Sequence, residues 1–242
     1  MPKRILVCHS GGLKSTFLLI QACKEGEAVG LFLKDPDCAA NQGELASFKS
    51  TCAMYGVEQH YMPLQLTSQS PLIQIAQTLS LVLPAAERLQ CQTVCYGLCR
   101  DDWFKIRRLQ DLDSTQNFIT TLQGLLRLCQ PYYTAEGMYK GSIEYEVALY
   151  RLHLYQVLLL GDRWSIPWKD TWSCEGGRAW HCGECLKCRE RQIAFIHANI
   201  VDPTMYLNLP KEKEIIQDDD DDETRNETEL FAGEGDTLDL SD

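Results

Sequence analysis

Two groups of residues in this sequence have the types and the spacing to do chemistry. The first is Cys174, Cys182, Cys185 and Cys188, spaced C-x7-C-x2-C-x2-C within "TWSCEGGRAWHCGECLKC". Thiolates at such intervals can wrap a tetrahedral zinc ion, with Gly176, Gly177 and Gly183 permitting the tight turns between them. Four sulfurs close the coordination shell, so this zinc would be structural. His181 could stand in for one cysteine, and reduced thiols packed without a metal are the plain alternative. The second group lies in "ILVCHSGGLKSTFLLIQA". Ser10, Gly11 and Gly12 separate an apolar run from a helical pattern, and glycine there lets a backbone approach a ligand or take positive φ at low cost. Ser15 and Thr16 then fall in a first helical turn, where unpaired N–H groups and hydroxyls face an anion. Leu13 separates Gly12 from Lys14, so this is not a Walker A loop, which requires Gly-Lys-Ser. A turn that merely connects strand to helix is the bland reading. The added hydroxyls and the position after a first strand favour a phosphate site.

Elements must place these groups. Residues 5–9 read as a buried strand and Thr16 to Cys23 as the helix after it. "AVGLFL" (28–33) predicts a second strand, Glu44 to Met54 a helix, "EQHYMPL" (58–64) a third strand, and residues 72–90 a helix leading to a fourth strand at "CQTVCYG" (91–97). Asp113 to Leu128 carries Phe118, Ile119, Leu122, Leu125 and Leu126 at amphipathic spacing. Residues 144–160 read as a single helix, and Arg189 to Asn199 as a helix leaving the cysteine cluster. Alternating strands and helices predict an α/β fold with a parallel sheet and helices on both faces, in which ligands bind beyond the carboxyl ends of the strands.

Charge narrows the partners. The stretch from Lys211 to Asp242 holds 14 acidic and 3 basic residues, which accounts for the whole formal net charge of −11 and leaves residues 1–210 balanced. Such a tail repels itself and carries few apolar residues, so disorder is expected. It reads as a solubilising end, or as a tether to a basic protein partner with Leu230, Phe231 and Leu238 as anchors. A neutral body argues against nucleic acid, which needs clustered Lys and Arg. Apolar runs such as "VLLL" fall far short of the roughly 20 residues of a membrane span. The apolar stretch after Met1-Pro2-Lys3-Arg4 ends at Cys8, shorter than the roughly 7–15 residues of a signal h-region. No export signal is read, and a cytoplasmic setting with reduced thiols is expected for the 12 cysteines.

Together the two ends resemble a known family, the 7-cyano-7-deazaguanine synthases within the PP-loop ATP pyrophosphatase superfamily. That family opens with S-G-G-x-D-S and closes with T-W-S-C, a glycine segment, C-G-x-C-x-x-C-x-x-R, then A-F and D-P-T-x-Y. The closing pattern stands here as Thr171-Trp172-Ser173-Cys174, Cys182-Gly183, Cys185, Cys188, Arg191, Ala194-Phe195 and Asp202-Pro203-Thr204 with Tyr206. The resemblance spans about residues 5–206.

It implies a Rossmann-like (HUP/PP-loop) domain over residues 1–170, a zinc-binding C-terminal segment over 171–209 and an acidic tail over 210–242. It implies an ATP-dependent carbon–nitrogen ligase of queuosine biosynthesis. Such an enzyme adenylates the carboxylate of 7-carboxy-7-deazaguanine, passes the acyl group to ammonia, and dehydrates the amide to a nitrile. Ser10, Gly11, Gly12, Leu13, Lys14, Ser15 and Thr16 would hold ATP, with Ser15 and Lys140 in catalytic roles. The four cysteines would hold zinc, and a homodimer is expected. Lys140 also reads as a solvated lysine at a helix start.

The sequence departs from the pattern where the family's loop aspartate is Lys14. A carboxylate can organise Mg²⁺, whereas an ammonium ligates no metal and, of the nucleotide and its Mg²⁺, can pair only with the phosphates. Lys14 therefore takes over part of a cation's role, points away, or marks the loss of ATP turnover. The family's tract after the second strand persists only as Glu44-Leu45. Other acceptors stay open, among them an amine on a protein partner in an antiviral defence system. So does a non-catalytic, zinc-stapled nucleotide-binding subunit.

Overall fold

The computed structural model describes residues 2–34, 37, 41–66, 68–106, 111–128, 143–176 and 179–208. Lys140 and the acidic tail lie outside them. The elements in chain order are β1 (Arg4–Cys8), α1 (Leu13–Glu25), β2 (Glu27–Phe32), α2 (Gln42–Met54), β3 (Glu58–Tyr61), α3 (Pro71–Arg88), β4 (Thr93–Cys95), α4 (Arg100–Phe104), α5 (Leu112–Leu128), β5 (Glu144–Glu146), α6 (Leu154–Arg163), a 3-10 turn (Trp168–Asp170) and α7 (Leu186–His197).

The five strands form one sheet in the order β3-β2-β1-β4-β5, and every neighbouring pair is parallel. Ile5, Leu6 and Val7 of β1 are fully buried, as expected of a central parallel strand covered on both faces. Alternation along that strand splits the interior in two. Ile5 and Val7 meet α1, α2, α6 and α7 through Phe17, Leu19, Phe48, Val157 and Phe195. Leu6 and Cys8 meet α3 and α5 through Leu79, Val82, Ile119 and Leu122. The chain runs outward from β1 to β2 and β3, then returns to place β4 on the other side of β1. The connections therefore part above the β1–β4 junction, and the loops after those two strands border the crevice where such sheets take ligands.

The sequence reading places most of these elements within a few residues. It fails at residues 144–160, which are not one helix. Glu144–Glu146 is the fifth strand, with Thr93 opposite Glu144, Val94 opposite Tyr145 and Cys95 opposite Glu146. Ile143, Tyr145 and Val147 are buried, which is period-two alternation. The helix begins only at Leu154. The third strand also stops at Tyr61 rather than residue 64. Met62 N–H still donates to the Phe32 carbonyl at 2.9 Å, but Pro63 has no N–H to continue the ladder.

The segment after α6 closes back over the first half of the chain. The Trp172 ring lies against Gly43 in the first turn of α2, where a Cβ on Gly43 would stand 2.1 Å from the indole. No methyl group fits there. Gly43→Ala should lower stability by about 1–3 kcal/mol through overpacking and red-shift tryptophan emission, as read by thermal melts and fluorescence.

Candidate functional site

The ladder of β1 extends one residue beyond the strand, with His9 N–H donating to the Leu31 carbonyl at 2.9 Å. The chain then turns sharply through Ser10, Gly11 and Gly12. Gly11 has φ +77°, and a Cβ there would stand 2.4 Å from the Glu44 carbonyl oxygen, so both backbone conformation and space require glycine. Its carbonyl accepts the Trp172 N–H at 2.8 Å and the Ser47 hydroxyl at 2.7 Å. Gly12 is the N-cap of α1 and makes no side-chain cap. The first hydrogen bond of the helix runs from Thr16 N–H to the Gly12 carbonyl at 3.0 Å. The N–H groups of Gly12, Leu13, Lys14 and Ser15 thus have no intrahelical acceptor and form the positive end of the helix dipole.

The side chains of the loop divide by direction. Leu13 is buried in the core, so it offers this site only its backbone. Thr16 is fully buried, and its hydroxyl lies in the interior with no partner among the described residues, not in the open turn. Ser15 Oγ stays at the loop, 3.0 Å from His9 Nδ1 and 3.2 Å from Ser10 N.

Lys14 does not point into solvent. Its Nζ donates to both carboxylate oxygens of Asp102 in α4, at 2.7 and 2.5 Å. Asp102 also accepts the Cys99 N–H at 2.9 Å. The pair bridges the first turn of α1 and the helix that follows β4, across the β1–β4 junction. Burial alone would lower the Lys14 pKa, but the Asp102 carboxylate overrides it and raises the pKa above 10.5. Burial alone would raise Asp102, and Lys14 reverses that and holds the carboxyl below 3.8. Both groups are therefore charged at neutral pH. Further ion pairs lie close by: Lys187 meets Glu190 at 2.9 Å and Lys105 meets it at 2.5 Å. After β2, Lys34 pairs with Glu44.

The four cysteines come together. Their sulfurs lie within 4.8 Å of one another, with Cys182 and Cys188 at 3.9 Å. Backbone N–H groups of Gly176 and Cys182 aim at Cys174 Sγ, each at 3.3 Å, while those of Glu184 and Cys185 aim at Cys182 Sγ at 3.4 and 3.3 Å. Against desolvation, these last two donors lower the Cys182 thiol to about 7. Converging sulfurs with N–H donors behind them fit a tetrahedral cation that prefers thiolates. Gly183 has φ +83°, and a Cβ there would meet the Asn208 carbonyl at 1.7 Å. His181 is occupied otherwise: its Nε2 accepts the Ser173 N–H at 3.0 Å, and its ring packs on Trp172 at 4.3 Å.

A buried guanidinium fastens this cluster to the body. Arg191 is fully buried. Its Nε faces both oxygens of Asp202 at 3.2 and 3.3 Å, Nη1 donates to Thr171 Oγ1 at 2.7 Å, and Nη2 donates to the Trp168 carbonyl at 2.9 Å. Asp202 accepts in addition from the Tyr206 hydroxyl at 2.5 Å and from Thr204 N–H at 3.0 Å. The residues that sequence reasoning did not single out are His9, Asp102 and the contact between Trp172 and Gly11. Only the adjacent acids Asp101-Asp102 after the fourth strand offered a signal. An open groove of about 570 Å³ between α3 and α5, lined by Leu72, Ile73, Ala76 and Phe118, lies away from the loop.

A parallel α/β sheet with a glycine–serine loop at its switch point, followed by a four-cysteine cluster that could hold a metal ion, defines a Rossmann-like protein with a metal-site segment. The chain belongs to the family of the queuosine biosynthesis protein QueC, whose profile matches residues 76–199, and it is a divergent member. It is 32% identical to the 7-cyano-7-deazaguanine synthase of Thermosynechococcus vestitus over 132 residues, covering 54% of this chain and 53% of that one. It is 25% identical to the enzyme of the same name from Trichodesmium erythraeum over 231 residues, covering 84% and 100%. The chain thus spans about half the length of the first of these relatives. Among solved structures, U34-tRNA thiolase NcsA from Methanococcus maripaludis with its [4Fe-4S] cluster is similar at 14% identity and TM-score 0.45, covering 81% of this chain and 66% of that one. No helix among the described residues is long and apolar enough to cross a membrane.

The Lys14–Asp102 pair gives a stability prediction. Lys14→Met strands a buried carboxylate and should cost about 3–5 kcal/mol, while Lys14→Met with Asp102→Asn should recover most of it. The pair's contribution is complete above the usual carboxyl pKa of 3.8 and is lost as pH falls through the lowered Asp102 value. On the alkaline side it is lost only as pH rises through the raised Lys14 value, above 10.5. Denaturant titrations across pH check both limits.

Proposed function

We propose that the chain is an ATP-dependent ligase that adenylates the carboxylate of a 7-deazaguanine, with the nucleotide's phosphates in the loop from Ser10 to Thr16. The observation that carries this reading is the place of that loop: at the switch point of the sheet, on a free helix N-terminus, in a chain of the QueC family. A carboxylate is a poor electrophile because its charge is delocalised. Attack of its oxygen on the α-phosphorus of ATP expels pyrophosphate and leaves an acyl adenylate, whose AMP is a good leaving group. Ammonia or another amine, including one on a protein partner, then takes the acyl group.

The chain's own residues hold and orient. Backbone N–H groups of Gly12, Leu13, Lys14 and Ser15 meet the departing pyrophosphate, and the Ser15 hydroxyl stands beside them. Lys14 is bound to both oxygens of Asp102, so any part its ammonium takes in the role of Mg²⁺ is shared with that carboxylate. Lys140 is a further candidate for contact with the phosphates. Zinc held by Cys174, Cys182, Cys185 and Cys188 would supply structural cross-linking only, since four sulfurs leave no open position.

Two measurements test these assignments. Wild-type protein given ATP, Mg²⁺ and 7-carboxy-7-deazaguanine should release AMP and pyrophosphate. Lys14→Asp, which sets a second carboxylate against Asp102, should lower that release by about 100-fold. A silent wild type with an active Lys14→Asp would mean a loop switched off at this residue, and silence in both would favour a binding subunit. Cys185→Ser should lower zinc content and Tm together, because metal binding is coupled to folding. Unchanged zinc and Tm would remove the structural assignment.

A further inference from the structure

A histidine buried at the end of β1 sits behind the loop. His9 is 1% exposed, and its ring packs against Phe48 with centroids 5.4 Å apart. Burial depresses its pKa to about 3, so the ring is neutral and carries one proton. The Gly11 N–H donates to Nδ1 at 3.3 Å, which makes Nδ1 the acceptor and puts the ring proton on Nε2. Ser15 Oγ lies 3.0 Å from the same nitrogen, the shortest of its contacts, and with Nδ1 unprotonated Ser15 is the donor there. The Gly12 carbonyl at 3.2 Å and Ser10 Oγ at 3.3 Å are the other acceptors within its reach. The Ser15 oxygen in turn accepts the Ser10 N–H at 3.2 Å. One imidazole nitrogen thus gathers a backbone N–H and a hydroxyl proton from the two ends of the turn.

This arrangement has a cost. Nε2 is buried and has no partner among the described residues, and a buried donor without an acceptor is unfavourable. An apolar side chain of similar size would avoid that cost and leave the β1 ladder intact. What it would lose is the acceptor at Nδ1.

We propose that His9 is a positioning residue of the phosphate loop: its Nδ1 holds the Gly11 N–H and the Ser15 hydroxyl in a defined direction. When an anion enters the turn, the Ser15 proton swings from Nδ1 to the anion. Gly11 keeps its donor on the ring, so no buried group is newly abandoned and the turn does not reopen. His9 touches neither substrate nor reacting atoms. The inference rests on the proposed phosphate reading of the loop.

The test uses isosteres. Asparagine places its amide oxygen where Nδ1 stands, glutamine places its amide where Nε2 stands, and leucine removes both polar positions. The affinity for inorganic pyrophosphate, measured by calorimetry on the full chain, should fall about tenfold in His9→Leu and His9→Gln, as loss of one or two hydrogen bonds predicts. His9→Asn should bind within about threefold of wild type, a rescue that a purely space-filling role would not give. If His9→Leu does not fold, as judged by its melting transition, the contrast between His9→Gln and His9→Asn carries the test. Wild-type binding matched by His9→Gln, or His9→Asn as weak as His9→Gln, would overturn this inference alone. Failure of wild type to bind pyrophosphate would overturn the phosphate reading and this inference with it.

Discussion

A single buried cation organises the second half of this molecule. Arg191 sits on α7, and its guanidinium reaches the chain before the first metal-site cysteine through Trp168 and Thr171, and the chain after α7 through Asp202. A charge without access to water is tolerated only when every donor is matched. Asp202 neutralises it and is itself held by Tyr206 and Thr204. Three stretches of the chain, α7 and the segments before the cysteines and after the helix, are thereby fixed at one point.

From there, order passes to the glycine–serine loop after β1. Trp172 is next to Thr171, which Arg191 binds, and the Trp172 N–H donates to the Gly11 carbonyl. Ser47 in α2 bridges the Gly11 and Asp170 carbonyls at 2.7 and 2.5 Å. The turn is therefore held at its carbonyl by the C-terminal segment and at its N–H by His9. On its open side stands Lys14, tied to Asp102. The family pattern keeps a carboxylate within the loop itself. Here the carboxylate comes from α4 and the loop supplies the cation, so both signs of charge are still present at the crevice with their carriers exchanged.

Much of this was legible beforehand because it depended on local pattern. The run Ile5-Leu6-Val7-Cys8, short and ended by a glycine turn, favours a buried strand over a helix, and the close cysteine spacing brings three of the four sulfurs together over a few residues. Strand β5 was misread because three residues of alternation are too few to stand out in a stretch that also tolerates helical spacing. Asp102 escaped notice because its value comes from Lys14, far away in the chain, and only the parallel return of β4 beside β1 brings them together. His9 escaped for a different reason. Its burial follows from its place at the end of a buried strand, but its tautomer and its contacts with Gly11 and Ser15 appear only once the turn has folded back over the ring.

The contact between Trp172 and Gly11 also bears on how the protein is made. Residue 11 emerges from the ribosome well before residue 172, and loop-closure entropy must be met before so distant a contact can form. The sheet from β1 to β4 can assemble while the turn after β1 still lacks the donor to its carbonyl. A turn translated well before Trp172 thus reaches its final shape only after it, and a nascent chain halted before Trp172 would present strands and helices without the finished turn after β1.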